Sequence, residues 1–382
     1  MTGLQNVRVL FVLGNLELGG SERQALLLAR YLKNECSADV RVLGLLGGPG
    51  GASSICDEEG IPWRGDLLRR QDGPVGGTAD LFRSARAFRK ERPDVVLPYT
   101  WLPNMVCGLT WRMSGARTCI WNQRDEGLGA GGGKLARIAA RMTPVFLANS
   151  EGGKVFLAAK LGVSRGKIRV IPNGVLLPPP REGRRVWRER IGAENGRFLV
   201  LMLASLHPHK DHATLLRAWR RILDREKENG RSPLLLLAGR SYGYEGEFKA
   251  LAFDLGLADS VRFLGPVEDV AGLLRSVDLC VHSAKTEGLP NAVLEAMSMG
   301  VPVVATDLPG IREAVGASGF RFLAPPGDQN GLADRILEFA GSESLREEMG
   351  TNLRERAGRE FNADSMCRAM REVILEALGG ST

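Results

Sequence analysis

The sequence predicts an α/β protein with two doubly wound, parallel-sheet domains that face a cleft between them. Its 382 residues exceed what one hydrophobic core usually supports. Short, continuous apolar runs recur between helical patterns, as in strands that are buried on both faces. A proline-rich stretch at 178–183 interrupts this rhythm, which then restarts.

The first domain, residues 1–178, contains predicted strands at 7–13, 40–46, 95–99, 118–122, 145–148 and 168–171. The prolines at 178–180 suit neither a helix nor an interior strand, so this stretch predicts a linker. The second domain, residues 179–362, has predicted strands at 198–204, 234–238, 261–264, 279–282, 301–306 and 320–323, with helices that include 213–227 and 291–299. Ligands of such domains bind beyond the carboxyl ends of the strands.

The last part of the sequence is helical. The pattern predicts helices at 332–340, 344–361 and 363–378, and no strand follows them. These helices either cover the second sheet or return to the first domain, and the sequence leaves both arrangements open. If the helices return to the first domain, we expect the final helix, about 363–382, to be the one that packs on it.

Charge is unevenly distributed along a chain whose formal net charge is +7. Residues 1–178 carry 24 Lys and Arg against 15 Asp and Glu, a net +9, and the remainder carries 27 against 29, a net −2. A basic first half predicts an acidic partner, such as an anionic membrane, although a solvated basic face gives the same pattern. The six tryptophans are scattered rather than interleaved with the basic residues, which argues against nucleic acid as a partner.

The sequence predicts a cytoplasmic protein that is at most peripheral to the membrane, at its inner face. No apolar run reaches the roughly 18 residues of a membrane-spanning helix. The N-terminus does not resemble a secretory signal. The six cysteines show no CxxC spacing and fit a reducing compartment as small core residues.

The most informative motif is Glu287-Gly-Leu-Pro-Asn-Ala-Val-Leu-Glu295. A tight turn from Glu287 to Asn291 opens a helix, whose first N–H groups suit a phosphate. Glu295 is expected one turn into that helix, where a carboxylate accepts hydrogen bonds from sugar hydroxyls. A surface carboxylate is the alternative for Glu295.

Two further segments follow the first strand of each domain. Gly19 and Gly20 lead into a helix that starts near Ser21, where glycine allows a ligand to approach the backbone closely. Lys210 follows the first strand of the second domain, and its ammonium suits a departing diphosphate. His207, His209 and His212 surround Lys210 but show no recognisable metal-ligand spacing, so we expect no metal.

These motifs together resemble the retaining, nucleotide-sugar-dependent glycosyltransferases of family 4, which have the GT-B fold. Glu287 and Glu295 match the E-x7-E element of that family, and Gly19-Gly20 matches its glycine loop. The segments at 170–175 and 301–307 match its hinge and the strand that follows the E-x7-E helix. The resemblance extends over nearly the whole chain.

The resemblance implies a role for each matched residue. Glu295 would bind the donor ribose and Glu287 the transferred sugar, while backbone groups of Gly288, Leu289, Pro290 and Asn291 hold sugar and phosphate. Lys210 would contact the diphosphate, so Glu287 and Lys210 are the expected catalytic residues, and Gly19 and Gly20 also belong to the donor site. The resemblance also implies front-side attack without a protein nucleophile, and no cofactor or catalytic metal.

One matched position departs from the family. Ser205 occupies the position of a common arginine, and lysine does not reproduce the planar, bidentate donor geometry that is lost. Arg240, at the end of the next strand, is our candidate replacement.

The acceptor side is less specified by the sequence. Asn122 and Arg124 follow a strand of the first domain and are candidates for binding a glycan or lipid-linked acceptor. Two helical sets of basic residues are candidates for an anionic membrane: Arg83, Arg86, Arg89 and Lys90, and Lys134, Arg137 and Arg141. Solvated helix faces are the alternative for both sets.

The predicted function is transfer of a sugar from a nucleotide-diphosphate donor, UDP- or GDP-linked, in polysaccharide or glycolipid synthesis. A nucleotide-sugar epimerase on the same fold is one alternative. A sugar-nucleotide-binding module without catalysis is another, since Ser205 replaces the arginine.

Overall fold

The computed structural model describes residues 3–68, 77–125, 127, 133–193 and 196–379. The chain forms two compact units, one of Met1–Gly174 with Ala363–Thr382 and one of Val175–Asn362.

The first unit is built on a parallel sheet, which has seven strands within the described residues. In chain order these are β1 (Arg8–Leu13), β2 (Asp39–Gly44), β3 (Trp63–Arg64), β4 (Val95–Pro98), β5 (Thr118–Gln123), β6 (Val145–Ala148) and β7 (Ile168–Val170). They lie in the order β3-β2-β1-β4-β5-β6-β7. The helices between them are α1 (Gly20–Cys36), α2 (Gly51–Glu58), α3 (Thr78–Glu91), α4 (Trp101–Thr110), α5 (Lys134–Met142) and α6 (Glu151–Leu161).

The second unit repeats this plan with a parallel sheet of six described strands. They are β8 (Leu199–Leu203), β9 (Leu234–Ala238), β10 (Val261–Gly265), β11 (Leu279–His282), β12 (Val303–Thr306) and β13 (Leu323–Ala324), in the order β10-β9-β8-β11-β12-β13. The helices are α7 (Arg184–Arg190), α8 (His212–Glu228), α9 (Glu245–Asp254), α10 (Val270–Ser276), α11 (Asn291–Ser298), α12 (Pro309–Val315), α13 (Gln329–Gly341) and α14 (Glu343–Glu360). The predicted fold class is therefore confirmed.

Burial on both faces explains the continuous apolar strands. In β1, Val9, Phe11 and Leu13 contribute to one core, whereas Leu10 and Val12 contribute to the core on the opposite face. Successive strand residues point to opposite faces, so a strand covered on both sides contains apolar residues at every position.

The last helix, α15 (Ala363–Gly379), belongs to the first unit. Its Met370 and Ile374 lie in the same hydrophobic core as Leu28 and Leu32 of α1. The described residues contain no helix that is long and apolar enough to cross a membrane. All six cysteines are buried and free.

One strand was missed by the sequence prediction and another was placed too early. The sequence reasoning missed β3, a two-residue strand. It also placed a strand at 320–323, whereas the chain forms a 3₁₀ helix at Ala317–Phe322 and the strand, β13, follows at Leu323–Ala324. Phe322 is apolar because its ring packs on Phe339 of α13, with centroids 4.6 Å apart.

The chain changes unit at Gly174–Val175, slightly before the boundary that the sequence placed at 178/179. The side chain of Gln24 bonds both the N–H and the carbonyl of Gly174, at 3.1 and 2.7 Å, within the first unit. In the second unit, the N–H of Val175 donates to the carbonyl of Phe361 at 2.8 Å. These bonds assign the two residues to different units.

The proline-rich stretch at 178–183 is held in the second unit by hydrogen bonds. The N–H groups of Arg181 and Glu182 donate to the carboxylate of Asp269, at 3.1 and 3.2 Å. The indole of Trp187 donates to the same carboxylate at 2.9 Å. Asp269 thus anchors this stretch beside the start of α10.

Candidate functional site

The loops that follow β8 and β11 meet in the second unit. These two strands are neighbours at the point where the strand order of the sheet reverses, which is where ligands of open α/β sheets bind. Ser283 Oγ donates to the carbonyl of Asp211 at 3.0 Å, and the N–H of Lys285 donates to the carbonyl of His209 at 2.9 Å. Two motifs that are distant in the sequence are therefore tied together here.

The predicted catalytic residues, Glu287 and Lys210, are in direct contact. Nζ of Lys210 forms an ion pair with Oε1 of Glu287, and Nε2 of His282 lies 2.8 Å from the same oxygen. Burial alone raises the pKa of Glu287, but Lys210 and His282 outweigh it and lower this pKa to about 2. Glu287 is consequently ionised at neutral pH, so it accepts hydrogen bonds and does not donate a proton.

Sequence reasoning missed His282, which is the last residue of β11 and is 3% exposed. The available signal was a polar residue at the carboxyl end of a strand whose other positions are apolar. Such a position faces the ligand region of an α/β sheet.

A second buried histidine, His212, begins α8 beside this cluster. Its ring centroid lies 5.0 Å from that of Phe248, and neither ring nitrogen has a hydrogen-bond partner in the part of the chain that the structure describes. Burial first, and then His282 and Lys210, lower the pKa of His212 to about 3, so the ring is neutral at physiological pH.

The three histidines near Lys210 do not act together. The rings of His207 and His209 stack 4.7 Å apart, while His212 is buried in the core. Within the described ranges, no three His, Cys, Asp or Glu side chains come together as a metal site.

The predicted donor loop is held by close backbone packing. Gly288, Leu289 and Pro290 are buried, and Asn291 begins α11. A Cβ atom on Gly310, in the first turn of α12, would lie 1.7 Å from the carbonyl oxygen of Gly288. Only glycine fits at position 310. Sequence reasoning missed this residue because its role is a tertiary contact.

Glu295 lies one turn into α11, as predicted, and is 8% exposed. Burial first, and then the charge of Glu295, raise the pKa of Cys280 in β11. Glu295 therefore lies near the sheet, and its contact with a ribose stays a prediction.

Ser205 and Arg240 follow adjacent strands, β8 and β9. The N–H of Leu206 donates to the carbonyl of Arg240 at 2.8 Å, so the backbones of the two loops run side by side. The guanidinium carbon of Arg240 lies 5.8 Å from the centre of the Tyr242 ring. The structure thus brings Arg240 next to the segment that contains Ser205, and its role as a replacement stays a prediction.

The other predicted residues belong to the first unit. Gly19 is the residue before α1 and Gly20 is its first residue. Glu22 lies in the first turn, where burial raises its pKa while hydrogen bonds from its own N–H, Ser21 and Gly19, and the charge of Arg124, act in the opposite direction. The glycine loop therefore borders a buried carboxyl group, and its part in donor binding stays a prediction.

Arg124 and Asn122 lie at the carboxyl end of β5. Asn122 is 1% exposed, and its N–H donates to Asn104 Oδ1 at 2.9 Å. The guanidinium carbon of Arg124 lies 5.3 Å from the centre of the Tyr99 ring. Its Nε and Nη2 atoms are buried and have no hydrogen-bond partner among the residues that the structure describes. Nδ2 of Asn122 is likewise buried and without a hydrogen-bond partner among the described residues, so both acceptor candidates offer hydrogen-bond donors.

Family profiles match both units. A profile described as "Glycosyl transferases group 1" matches residues 197–341, and one described as "Glycosyltransferase Family 4" matches residues 18–177.

Individual relatives match at 28% and 30% identity. The D-inositol 3-phosphate glycosyltransferase of Streptomyces avermitilis is 28% identical over 313 residues, which cover 76% of this chain and 67% of that protein. The N-acetyl-alpha-D-glucosaminyl L-malate synthase of Bacillus anthracis is 30% identical over 128 residues, 34% of each chain. The second match thus spans only about a third of the relative's own length.

Solved structures match over nearly the whole length. Anabaena HepE in complex with UDP and glucose has a TM-score of 0.81 and 19% identity, and the match covers 97% of this chain and 99% of HepE. At this identity the likeness establishes the fold alone.

Proposed function

This chain belongs to the group 1 glycosyltransferases of family 4, and from that premise we propose that it transfers a sugar from a nucleotide-diphosphate donor, UDP- or GDP-linked, to a glycan or lipid-linked acceptor with retention of configuration. The observation that carries this proposal is the contact of Glu287 with Lys210 and His282 beside the loop that opens α11. It combines an ammonium, a carboxylate and the N–H groups of a helix start at one end of a sheet. We place the reaction in the synthesis of cell-envelope polysaccharide or glycolipid.

The nucleotide sugar is held by charge, by backbone N–H donors and by carboxylate acceptors. Lys210 contacts the diphosphate and offsets the charge that develops as the nucleotide departs. The N–H groups of Gly288, Leu289 and Asn291 bind the phosphate and sugar at the positive end of α11. Glu287, being ionised, accepts hydrogen bonds from the transferred sugar, and Glu295 accepts them from the ribose.

Retention follows from attack on the face from which the nucleotide leaves, without a protein nucleophile. The work of the protein is then positioning and electrostatic stabilisation. Because Lys210 and the start of α11 supply positive charge, no metal is required. Turnover should therefore persist in EDTA. Activity that disappears in EDTA and returns with a divalent cation contradicts the proposal that no metal is required.

The acceptor carries an anionic group that Arg124 binds. The buried Nε and Nη2 atoms of Arg124 are donors that suit a phosphate or carboxylate. The names of two relatives include anionic compounds, inositol 3-phosphate and L-malate. Arg124→Ala should raise the KM for the acceptor at least roughly 10-fold, since a hydrogen bond to a charged group is lost, and leave donor affinity unchanged. An equal loss of donor affinity contradicts this assignment.

A lipid-linked acceptor would require access to a membrane surface at its cytoplasmic face. In α5, Leu135 and Ile138 are 42% and 46% exposed, between the basic residues Lys134, Arg137 and Arg141. Phe82 of α3 is 65% exposed beside a second basic set. Each basic residue contributes about 1 kcal/mol near an anionic surface. Cosedimentation with vesicles should rise with the anionic lipid fraction, and independence from that fraction removes the membrane from the proposal.

Transfer can be separated from the two alternatives by product analysis. The wild-type protein is incubated with each donor, alone and with candidate acceptors, and anomeric protons are followed by NMR. A new α- or β-linked product with the configuration of the donor supports retaining transfer. Conversion of the donor sugar without acceptor indicates an epimerase, and binding without conversion, unchanged in Glu287→Gln, indicates an inert module.

A further inference from the structure

Among the residues that the structure describes, both side-chain contacts of the Glu287 carboxylate involve the same oxygen. Lys210 Nζ and His282 Nε2 each bond Oε1, the histidine at 2.8 Å. A carboxylate has two oxygens with about four acceptor sites. The protein contacts therefore orient the group through Oε1 and leave Oε2 for hydroxyl donors of a ligand.

The proton in the histidine contact belongs to His282. Glu287 is ionised at neutral pH, so it only accepts, and Nε2 of His282 must carry the hydrogen. A neutral imidazole with its hydrogen on Nε2 satisfies this geometry. The charged and titratable groups that face His282 are Glu287, Lys210 and His212.

His282 and Lys210 differ in how firmly the fold holds them. His282 ends a strand and is in register with Ala305 of β12, so its backbone is fixed inside the sheet. Its ring is 3% exposed. Lys210 is the last residue of a 3₁₀ turn, and its flexible side chain is 26% exposed. The ring is thus the more rigid of the two partners.

We propose that His282 is a positioning residue, which keeps the Glu287 carboxylate oriented toward the transferred sugar when the Lys210 ammonium turns to the donor diphosphate. This inference rests on the proposed function. Without His282, the Glu287 carboxylate rotates with the Lys210 ammonium or adopts several orientations. The transferred sugar then has no hydrogen-bond acceptor in a fixed position during transfer. A site in which the reacting groups are held in place costs less reorganisation during the reaction.

Two conservative variants test this geometry. In His282→Gln the side-chain amide nitrogen reaches about as far as Nε2, whereas in His282→Asn it falls short by one methylene. His282→Asn should lower kcat/KM for the donor roughly 10- to 100-fold, the effect of losing a hydrogen bond to a charged group. His282→Gln should stay within about threefold of wild type, because its amide N–H can donate to the same carboxylate oxygen.

A double-mutant cycle separates positioning from a general structural effect. In a Glu287→Gln background, His282→Asn should cost less than about twofold more, because the group it acts through has already been changed. The matched control is Trp219→Phe, which removes the buried indole donor to the Ser260 carbonyl at 3.2 Å and touches neither residue. Trp219→Phe should change kcat/KM by the same factor in the wild-type and Glu287→Gln backgrounds. An equal factor for His282→Asn in both backgrounds overturns the proposal, as does a Gln variant as impaired as the Asn variant.

A measurement without turnover keeps this inference distinct from the proposed function. The Glu287 carboxyl carbon is titrated by ¹³C NMR and assigned by its loss in Glu287→Gln. Its pKa should rise in His282→Asn and stay near the wild-type value in His282→Gln. An unchanged pKa in His282→Asn overturns the contact itself. Failure of the wild type to use any nucleotide sugar overturns the proposed function, while the titration still decides the contact.

Discussion

Replacing Gly310 with alanine should damage the donor loop more than the fold. The new Cβ would lie 1.7 Å from the Gly288 carbonyl oxygen and 3.2 Å from that of Glu287. Contacts of Cβ atoms closer than 3.0 Å essentially do not occur, so the Gly288 carbonyl must retreat by at least 3.0 − 1.7 = 1.3 Å. A displacement of about 1 Å in a catalytic site costs roughly 100-fold in rate. We therefore expect kcat/KM for the donor to fall about 100-fold.

The matched control is Gly358→Ala in α14. A Cβ there meets no atom within 4 Å, so the change should stabilise the helix by about 0.5–1 kcal/mol and leave activity intact. Gly310→Ala should lower stability by about 1–3 kcal/mol, as overpacking does. Both variants are compared by thermal melting and by donor kinetics. If Gly310→Ala stays folded and keeps activity within a few fold of wild type, the close packing of this loop does not control the site.

Two other predictions concern single side chains of the second unit. Arg240→Ala should weaken binding of a nucleoside diphosphate at least roughly 10-fold in calorimetry, since a hydrogen bond to a charged group is lost, and Ser205→Arg should restore it in that background; unchanged affinity in Arg240→Ala refutes the replacement. In the folded protein the pKa of His212 is lowered to about 3 from 6.5. Below pH 6.5 the unfolded chain therefore takes up a proton that the folded chain does not, and the free energy of unfolding decreases as the pH decreases. Between pH 7.5 and 5.5, His212 contributes about 1.4 kcal/mol to this decrease. His212→Leu should not show this contribution when urea unfolding midpoints are measured by tryptophan fluorescence at the two pH values. The same pH dependence in both proteins contradicts this.

The sequence was sufficient to predict the elements that depend on periodicity and the residues that a motif marks. Strands such as β8 contain apolar residues at every position because both faces are covered, and this pattern is visible without a structure. Lys210 and Glu287 were both predicted to belong to the donor site, and their side chains are in contact, while their roles in donor binding stay predictions.

The remaining features depend on tertiary contacts. His282 ends an apolar strand, and its contact with Glu287 appears only after the loop folds back. Gly310 resembles an ordinary helix-start glycine until the Gly288 carbonyl is placed against it. The strand predicted at 320–323 began too early because burial of Phe322 against Phe339 extends the apolar run into the preceding 3₁₀ helix.

The central claim is that the cluster around Lys210 and Glu287 binds a nucleotide-diphosphate sugar, and ligand-induced stabilisation tests it most directly. Wild-type protein and Lys210→Met are melted with a panel of UDP-, GDP-, ADP- and dTDP-linked sugars. A donor at 100 times its Kd stabilises the folded state by about 2.7 kcal/mol, which corresponds to roughly 5–10 °C for a unit of this size. We predict such a shift for the wild type with at least one donor, and a much smaller shift for Lys210→Met. No shift with any donor, or equal shifts in the two proteins, contradicts the claim.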